Sequence, residues 1–304
     1  MNEYVYCILG FARPEKLSDC IASINKFDPG SRIYVCIDIC TDRTSVFFKD
    51  NRRLIDLASE LKSQSLIIDY RVTQANFKTK AAANFALDWV FGMEKNIVLL
   101  EDDLILVSQP SNYITSALSL MGSRGDCAMA TLFSSKRHSV ELSKSSPQLR
   151  LTRWPIMWGI ILTKTRYSEM RLFLDSFPIS GVPDVVNRFS RRSLNSWLAR
   201  VFRKRFVHTW TFKFNKAFAS ETAWDTQWHF GLWAKDYFAL SPAISILQDT
   251  GVDYSSVSPG KQAVVQSECE SKWVHVIDNL GFCRGCEKIR ELDNRVLPQI
   301  LSCD

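Results

Sequence analysis

The sequence predicts an α/β fold with a mainly parallel central sheet flanked by helices. Three observations carry this expectation. Short apolar or β-branched runs alternate with amphipathic stretches through the first half of the chain. The most apolar run, Ile97 to Leu100, has the unbroken hydrophobicity of a strand buried on both faces. Acidic residues follow two of the runs directly, where such a sheet places its ligand crevice.

Taken in order, Tyr4 to Leu9 reads as a strand and the stretch after Pro14 as a helix. Arg32 to Ile37 is a second strand, followed by a helix around Arg52 to Leu61. Leu66 to Tyr70 is a third strand, Lys78 to Phe91 a third helix and Asn96 to Leu100 a fourth strand. This β-α-β-α order implies right-handed crossovers. The second half is less regular. It offers a strand-like Met157 to Thr163, a helix from Thr165 to Phe177, a basic segment, a Trp-rich helix near Trp224 to Trp233 and a strand-like Phe238 to Leu247. No repeat period or low-complexity tract interrupts it.

With 304 residues, 46% hydrophobic and 12% aromatic, the chain has enough apolar surface for a sizeable core. Met1 to Gly10 lacks a basic segment followed by a long apolar one, and no apolar run reaches membrane-spanning length. An uncleaved, non-spanning protein is expected. Nine cysteines is an odd count, and Cys7, Cys36, Cys40 and Cys127 lie in or beside strand-like runs, which suits reduced, buried thiols in a cytoplasm. The net charge of +6 has a local source: seven basic residues and no acidic one fall between Arg188 and Arg205, leaving 31 basic against 32 acidic side chains elsewhere. A local patch points to a particular anionic partner, and no nucleic-acid recognition motif accompanies it.

Glu101, Asp102 and Asp103 stand between Leu100 and Leu104. Three adjacent carboxylates are costly to desolvate unless something positive joins them. A hard divalent cation, Mn²⁺ or Mg²⁺, would do so, taking one or two protein carboxylates and filling its remaining positions with water and diphosphate oxygens. Asp103 is the candidate ligand. Glu101 and Asp102 are candidates to accept hydrogen bonds from ribose or sugar hydroxyls. A solvated acidic turn is the plainer alternative.

The stretch NIVLLEDDLIL, Asn96 to Leu106, resembles the strand and D-x-D-type motif of GT-A glycosyltransferases. Its EDD form is similar to that of N-acetylglucosaminyltransferases acting on N-glycans. YCILGFARPEKL, from Tyr6, resembles the family's opening strand and R-P-x-x-L helix start. Val35 to Asp42 resembles its second strand, where an acid, here Asp38, meets the nucleotide base. KTKAAANFAL, from Lys78, resembles the helix before the metal motif. The resemblance implies a Rossmann-like nucleotide-diphospho-sugar transferase with a nucleotide-sugar donor, UDP foremost, and places Arg13 and Lys80 near the nucleotide or diphosphate.

The second constellation is AWDTQWHFGLW, Ala223 to Trp233. Trp224 and Trp228 share a helix face with Asp225 at its edge. An acid held beside aromatic walls gains basicity, and aromatic faces pack against sugar rings. Asp225 is therefore a candidate general base for an inverting transfer. A helix-capping Asp among core tryptophans is the alternative. This segment and RWPIMWGIILTKTRYSEM resemble the W-D-x-Q-W helix and W-G strand of bacterial GT-A transferases that build surface polysaccharides such as lipopolysaccharide and capsule. The likeness implies that Trp158 and Gly159 stand on the acceptor side with Trp224 and Trp228, and that Asp225 is the base. Two departures stand out: Ile160 to Lys164 lacks a second Trp after W-G, and Gln248 to Gly251 reads Q-D-T-G where the family tends toward N-I-G.

In the basic segment, Leu194, Trp197, Leu198, Val201 and Phe202 follow helical spacing, an amphipathic pattern suited to an anionic bilayer or to ordinary core packing. Cys283 and Cys286 form one C-x-x-C pair, with Cys269, His275 and Cys303 at irregular spacing, which fits unpaired thiols better than a closed zinc site. His138, His208 and His229 are isolated.

The expected organisation is a transferase domain over 1–255, with a nucleotide-sugar-binding half at 1–108 and an acceptor half at 109–255 that carries a basic amphipathic insertion at about 186–206. A C-terminal extension follows at 256–304. The expected partners are a nucleotide sugar, an oligosaccharide or lipid-linked acceptor and, through 188–205, the inner face of an anionic membrane. The rivals are a nucleotidyltransferase or sugar-nucleotide pyrophosphorylase, which would carry a glycine-rich loop where this chain reads LGFARPEK, and a non-catalytic glycan- or membrane-binding module.

Overall fold

A computed structural model of the protein describes residues 3–134, 149–193 and 197–251, with the side chains of 192–202 excluded. The predicted calls on His138, Leu194 and the C-terminal cysteines with His275 lie outside the described residues, as do the side chains of Trp197, Leu198, Val201 and Phe202.

The first half alternates as expected: β1 (Val5–Gly10), α1 (Pro14–Phe27), β2 (Ile33–Ile37), α2 (Phe48–Ser63), β3 (Asp69–Val72), α3 (Lys78–Phe91) and β4 (Asn96–Glu101). There follow β5 (Leu104–Leu106), α4 (Ser111–Ser123), β6 (Cys127–Thr131), β7 (Leu149–Thr152), β8 (Ile160–Thr163), α5 (Lys164–Ser176), α6 (Val182–Ser193), α7 (Trp197–Ala219), α8 (Trp224–Ala234), β9 (Phe238–Pro242) and β10 (Leu247–Asp249). Among the described residues, eight strands form one sheet in the order β3-β2-β1-β4-β8-β6-β9-β7, and β5 pairs with β10 in a second, two-stranded sheet. The β3-β2-β1-β4 stretch is parallel, β8 runs antiparallel between β4 and β6, and β7 is antiparallel to β9.

The alternation of side chains along the central strands explains the layering. Val5 and Cys7 of β1, with Ile97 and Leu99 of β4, face one core, whereas Tyr6, Ile8, Val98 and Leu100 face the other. Helices α3, α5, α6, α7 and α8 cover the first core, and α1, α2, α4 and the small sheet cover the second. Helix α1 shows how local sequence sets an element: Pro14 occupies its first turn, and Leu17, Cys20, Ile21 and Ile24 bury one stripe. Cys7, Cys20, Cys36, Cys40 and Cys127 are free and buried, and burial raises the pKa of Cys7, Cys20, Cys36 and Cys127. Among the described residues, no helix is long and apolar enough to cross a membrane.

Three boundaries differ from the sequence reading. The third strand starts at Asp69 because Ser65, at φ 60°, closes α2 by donating its N–H to Lys62 O, and Leu66 N–H still reaches back to Leu61 O. The eighth strand starts at Ile160 because Gly159 breaks the extended run at φ 62°. Phe238 to Leu247 divides between β9 and β10, which belong to different sheets.

Candidate active site

The carboxyl edge of the sheet gathers the chain ends that leave β1, β2, β4 and β6, together with Trp158 and Gly159 entering β8. Register brings Leu9 opposite Glu101, and Asp102 N–H donates to Leu9 O at 2.9 Å. Arg13, which precedes Pro14 at the start of α1, points its guanidinium at the acids. Its Nη1 donates to Asp103 Oδ2 at 2.5 Å and its Nη2 to Asp102 Oδ1. Burial would lower the Arg13 pKa, but Asp102 and Asp103 outweigh it and hold the guanidinium charged.

One arginine does not balance the cluster. Asp102 is 1% exposed, and its Oδ2 is buried without a hydrogen-bond partner. Burial raises its pKa to about 6, Arg13 opposing and Asp103 adding to the rise. Glu101 is pushed up to about 8 by burial and by Asp103, with Asp102 and Asp225 adding to the rise against Arg13. The charge of Asp225, far away in sequence, is thus felt at the end of β4.

A further carboxylate belongs to the same neighbourhood. Asp249 is raised above its ordinary pKa by burial and by Asp103, although Gly251 N–H donates to its Oδ1 at 2.7 Å. Thr250 N–H and Oγ1 both donate to Asp103 O, at 2.9 and 2.8 Å, and Lys16 Nζ donates to Thr250 O at 2.8 Å. A Cβ on Gly251 would collide with Asp103 Oδ2, so a larger residue here would displace that carboxylate. The Q-D-T-G departure noted in the sequence therefore sits against the acidic cluster itself. Asp249, Thr250, Gly251 and Lys16 were not anticipated as site residues, because only folding brings β10 beside β5.

Asp38 leaves β2 at this edge and is 8% exposed. Its Oδ1 accepts from Thr73 Oγ1 and Phe77 N–H, both at 2.8 Å, and its Oδ2 from Lys78 N–H at 3.0 Å. These bonds hold Lys78 at a left-handed φ of 61° and fix the turn into α3. Asn51, fully buried on α2, ties the neighbouring loops: its Nδ2 donates to Asp38 O and to Phe11 O, and its Oδ1 accepts from Cys40 N–H. Its only sequence signal is an amide on an apolar helix stripe. Lys80 lies in the first turn of α3, where its N–H donates to Glu221 O at 3.0 Å, ahead of α8.

Asp225 occupies the first turn of α8, where the helix dipole favours a carboxylate, and its Oδ1 accepts from Thr226 N–H at 2.6 Å. Trp224 and Trp228 require a correction: at 6% and 3% exposed they are core residues, with Trp228 stacked on Tyr167 at 6.3 Å. Their rings have no open face for a sugar. Trp158 is half-buried, edge-on to Phe133 at 4.7 Å. Gly159 is crowded by Leu100, Leu132 and Leu247, which leaves no room for a side chain. His229 bonds Pro155 O at 2.6 Å, a structural contact. Among the described residues, no group of three or more His, Cys, Asp and Glu side chains forms a ready-made metal cage.

The chain matches no known family profile and no curated protein. Among solved structures it overlaps crystal structures of S. aureus TarS. One shares 12% identity over 56% of this chain and 30% of that one, with a TM-score of 0.33, so this chain spans about 30% of its length. The other, TarS 1-349, shares 12% identity over 77% of this chain and 81% of that one, with a TM-score of 0.35. Overlaps this loose carry no weight for fold or activity.

Proposed function

We propose that the protein is a GT-A-type glycosyltransferase that moves a sugar from a nucleotide-diphosphate donor, UDP-linked, to a carbohydrate or lipid-linked acceptor in surface-polysaccharide synthesis. The observation that carries this reading is geometric: the acids after β4 stand at the carboxyl edge of the sheet, where Arg13 at the start of α1 and Thr250 at the end of β10 close on Asp103.

The residues fit a divalent cation, Mn²⁺ or Mg²⁺. Asp102 and Asp103 share Arg13 as their bonded counter-charge, and a buried oxygen of Asp102 lacks a partner. Asp103 would hold the ion, which when bound would stabilise negative charge on a departing diphosphate. Asp102 is too buried to reach a ribose hydroxyl, so its part is to position Arg13, leaving Glu101 for the donor's hydroxyls. Asp38 acts on a nucleotide base through the loop it shapes, since its carboxylate is already engaged within the protein. Lys80 is assigned to the diphosphate and Trp158, half-buried beside Phe133, to the acceptor side, while Gly159, packed under three leucines, shapes the strand start that carries Trp158. Asp225 takes the proton of the attacking acceptor hydroxyl, and inversion follows from that single displacement. Residues 188–205 supply peripheral contact with an anionic membrane.

The deciding experiment is donor hydrolysis and transfer across a panel of nucleotide sugars, with and without Mn²⁺. Asp225→Asn is expected to keep donor binding and lower transfer by roughly 10²-fold or more. Turnover equal to wild type would remove Asp225 as base. Glycan binding that survives Asp103→Ala, with no turnover by any variant, would favour a non-catalytic module.

A further inference from the structure

We infer that the outer face of α7 lies on an anionic phospholipid surface, with Phe212 entering the headgroup region between basic side chains. This rests on the membrane contact proposed above and moves its centre from 188–205 to 204–216.

Helix α7 is sorted by depth around its axis. At about 100° per residue, the exposed residues Lys204, Arg205, His208, Phe212, Lys216 and Ala219 fall within an arc of about 120°. Phe206, Trp210, Phe214 and Ala217 are buried on the opposite side, the three rings inside the aromatic core. One face therefore anchors the helix, and the other is left to meet a partner. The charge of that outer arc is one-sided. It holds Lys204, Arg205 and Lys216, and α7 has no Asp or Glu along its 23 residues. Among the described residues, none of these three cations has a carboxylate partner. Cations elsewhere on the surface behave differently: Arg53 pairs with Glu15 and Asp50, Lys62 with Asp69, Arg171 with Asp175 and Lys235 with Glu169. Positive charge that folding leaves uncompensated on a single face is complementary to an anion.

Spacing and polarity then choose among anions. From Lys204 to Lys216 the axis advances about 18 Å, so no single phosphate reaches both ends of the arc and the partner must be extended. Phe212, 65% exposed, stands near the middle of the arc with basic residues on either side. A ring so placed gains burial at the boundary between headgroups and acyl chains, while the Lys and Arg stems lie along that boundary with their charges in water. A nucleic-acid duplex would meet the ring only with sugar and phosphate. The arrangement of an apolar ring framed by unpaired cations on a helix face thus suits a bilayer surface.

The test is co-sedimentation of the full chain with vesicles of equal parts phosphatidylcholine and phosphatidylglycerol, and with vesicles of phosphatidylcholine alone. The anionic vesicles are expected to bind roughly tenfold more tightly or better, and the difference should shrink as salt is added. Lys204→Gln, Arg205→Gln and Lys216→Gln combined should lose roughly tenfold or more, because each basic residue near an anionic leaflet contributes about fivefold. Phe212→Ser alone should lose roughly threefold or more and keep the salt dependence. These positions are exposed, so thermal midpoints are expected to match wild type; if the triple variant does not fold, Lys216→Glu alone should show the selective loss of anionic binding. Equal binding to both vesicle types, affinity unaltered in the α7 variants, or single-stranded RNA bound more tightly than the anionic vesicles would each overturn the inference. Arg191→Gln, exposed on α6, separates this face from the broader contact. A loss there with the α7 variants unaffected would refute the α7 face and leave contact through 188–205 standing. Absence of vesicle binding by wild type would remove both, while sugar transfer measured in solution would still stand or fall by itself.

Discussion

Arg13 faces two carboxylates at once, and one of them is almost wholly buried. Removing the arginine leaves both without their nearest counter-charge, which in buried settings costs about 3 kcal/mol or more. Arg13→Gln is therefore expected to lower the thermal midpoint markedly, and Mn²⁺ should restore more of the loss in this variant than it adds to wild type. Equal shifts in both proteins, read by differential scanning fluorimetry, would argue against a cation at this site. A second residue ties stability to pH. Burial alone would raise the pKa of Glu169, but hydrogen bonds from Lys235, Tyr237 and Arg166 bring it down from 4.5 to about 2. Its folded pKa is depressed, so its contribution is full above pH 4.5 and is lost as pH falls toward 2. Glu169→Gln should flatten acid unfolding curves over that window. Arg13 and the three consecutive acids were legible in sequence because proline and an apolar strand flank them. Asp249 was not, since nothing local reveals that β10 will lie beside β5.

Gly159 shows how a single backbone position governs an element. Its φ of 62° suits glycine, and an added Cβ would strike Leu247 and crowd Leu100 and Leu132. Gly159→Ala should cost about 3 kcal/mol from the combined left-handed strain and overpacking. Because Leu247 opens β10, the disturbance should extend to Asp249, visible as faster amide exchange at Gly251 alongside the stability loss measured by urea unfolding. The W-G pair was visible in sequence, but its use here, a break before β8 pressed against β10, depends on contacts that only the fold creates. The tryptophans of α8 misled for a related reason. Helical spacing reveals which residues share a face, not whether that face meets solvent or core.

At the scale of the whole molecule, the sheet separates two apolar cores, and the core beneath α8 is aromatic. Trp233 lies at its centre, stacked on Phe189 at 3.7 Å, in contact with Trp154, Trp210 and Phe214, and donating Nε1–H to Arg153 O at 3.0 Å. Trp233→Ala should destabilise the fold by about 3–5 kcal/mol. Retention of the wild-type midpoint in chemical denaturation would show that this cluster is not the keystone described. The first-half alternation was readable because each crossover is short and each strand distinctly apolar. The second half was harder, because strands distant in sequence interleave there: β8 inserts between β4 and β6, and β9 between β6 and β7.

The single amide contact from Lys80 to Glu221 has a mechanical consequence. The turn into α3 held by Asp38 and the segment that leads into α8 are tied together through that bond. A substitution that loosens the turn held by Asp38 is thereby expected to loosen the start of α8 as well, readable as faster amide exchange at both places.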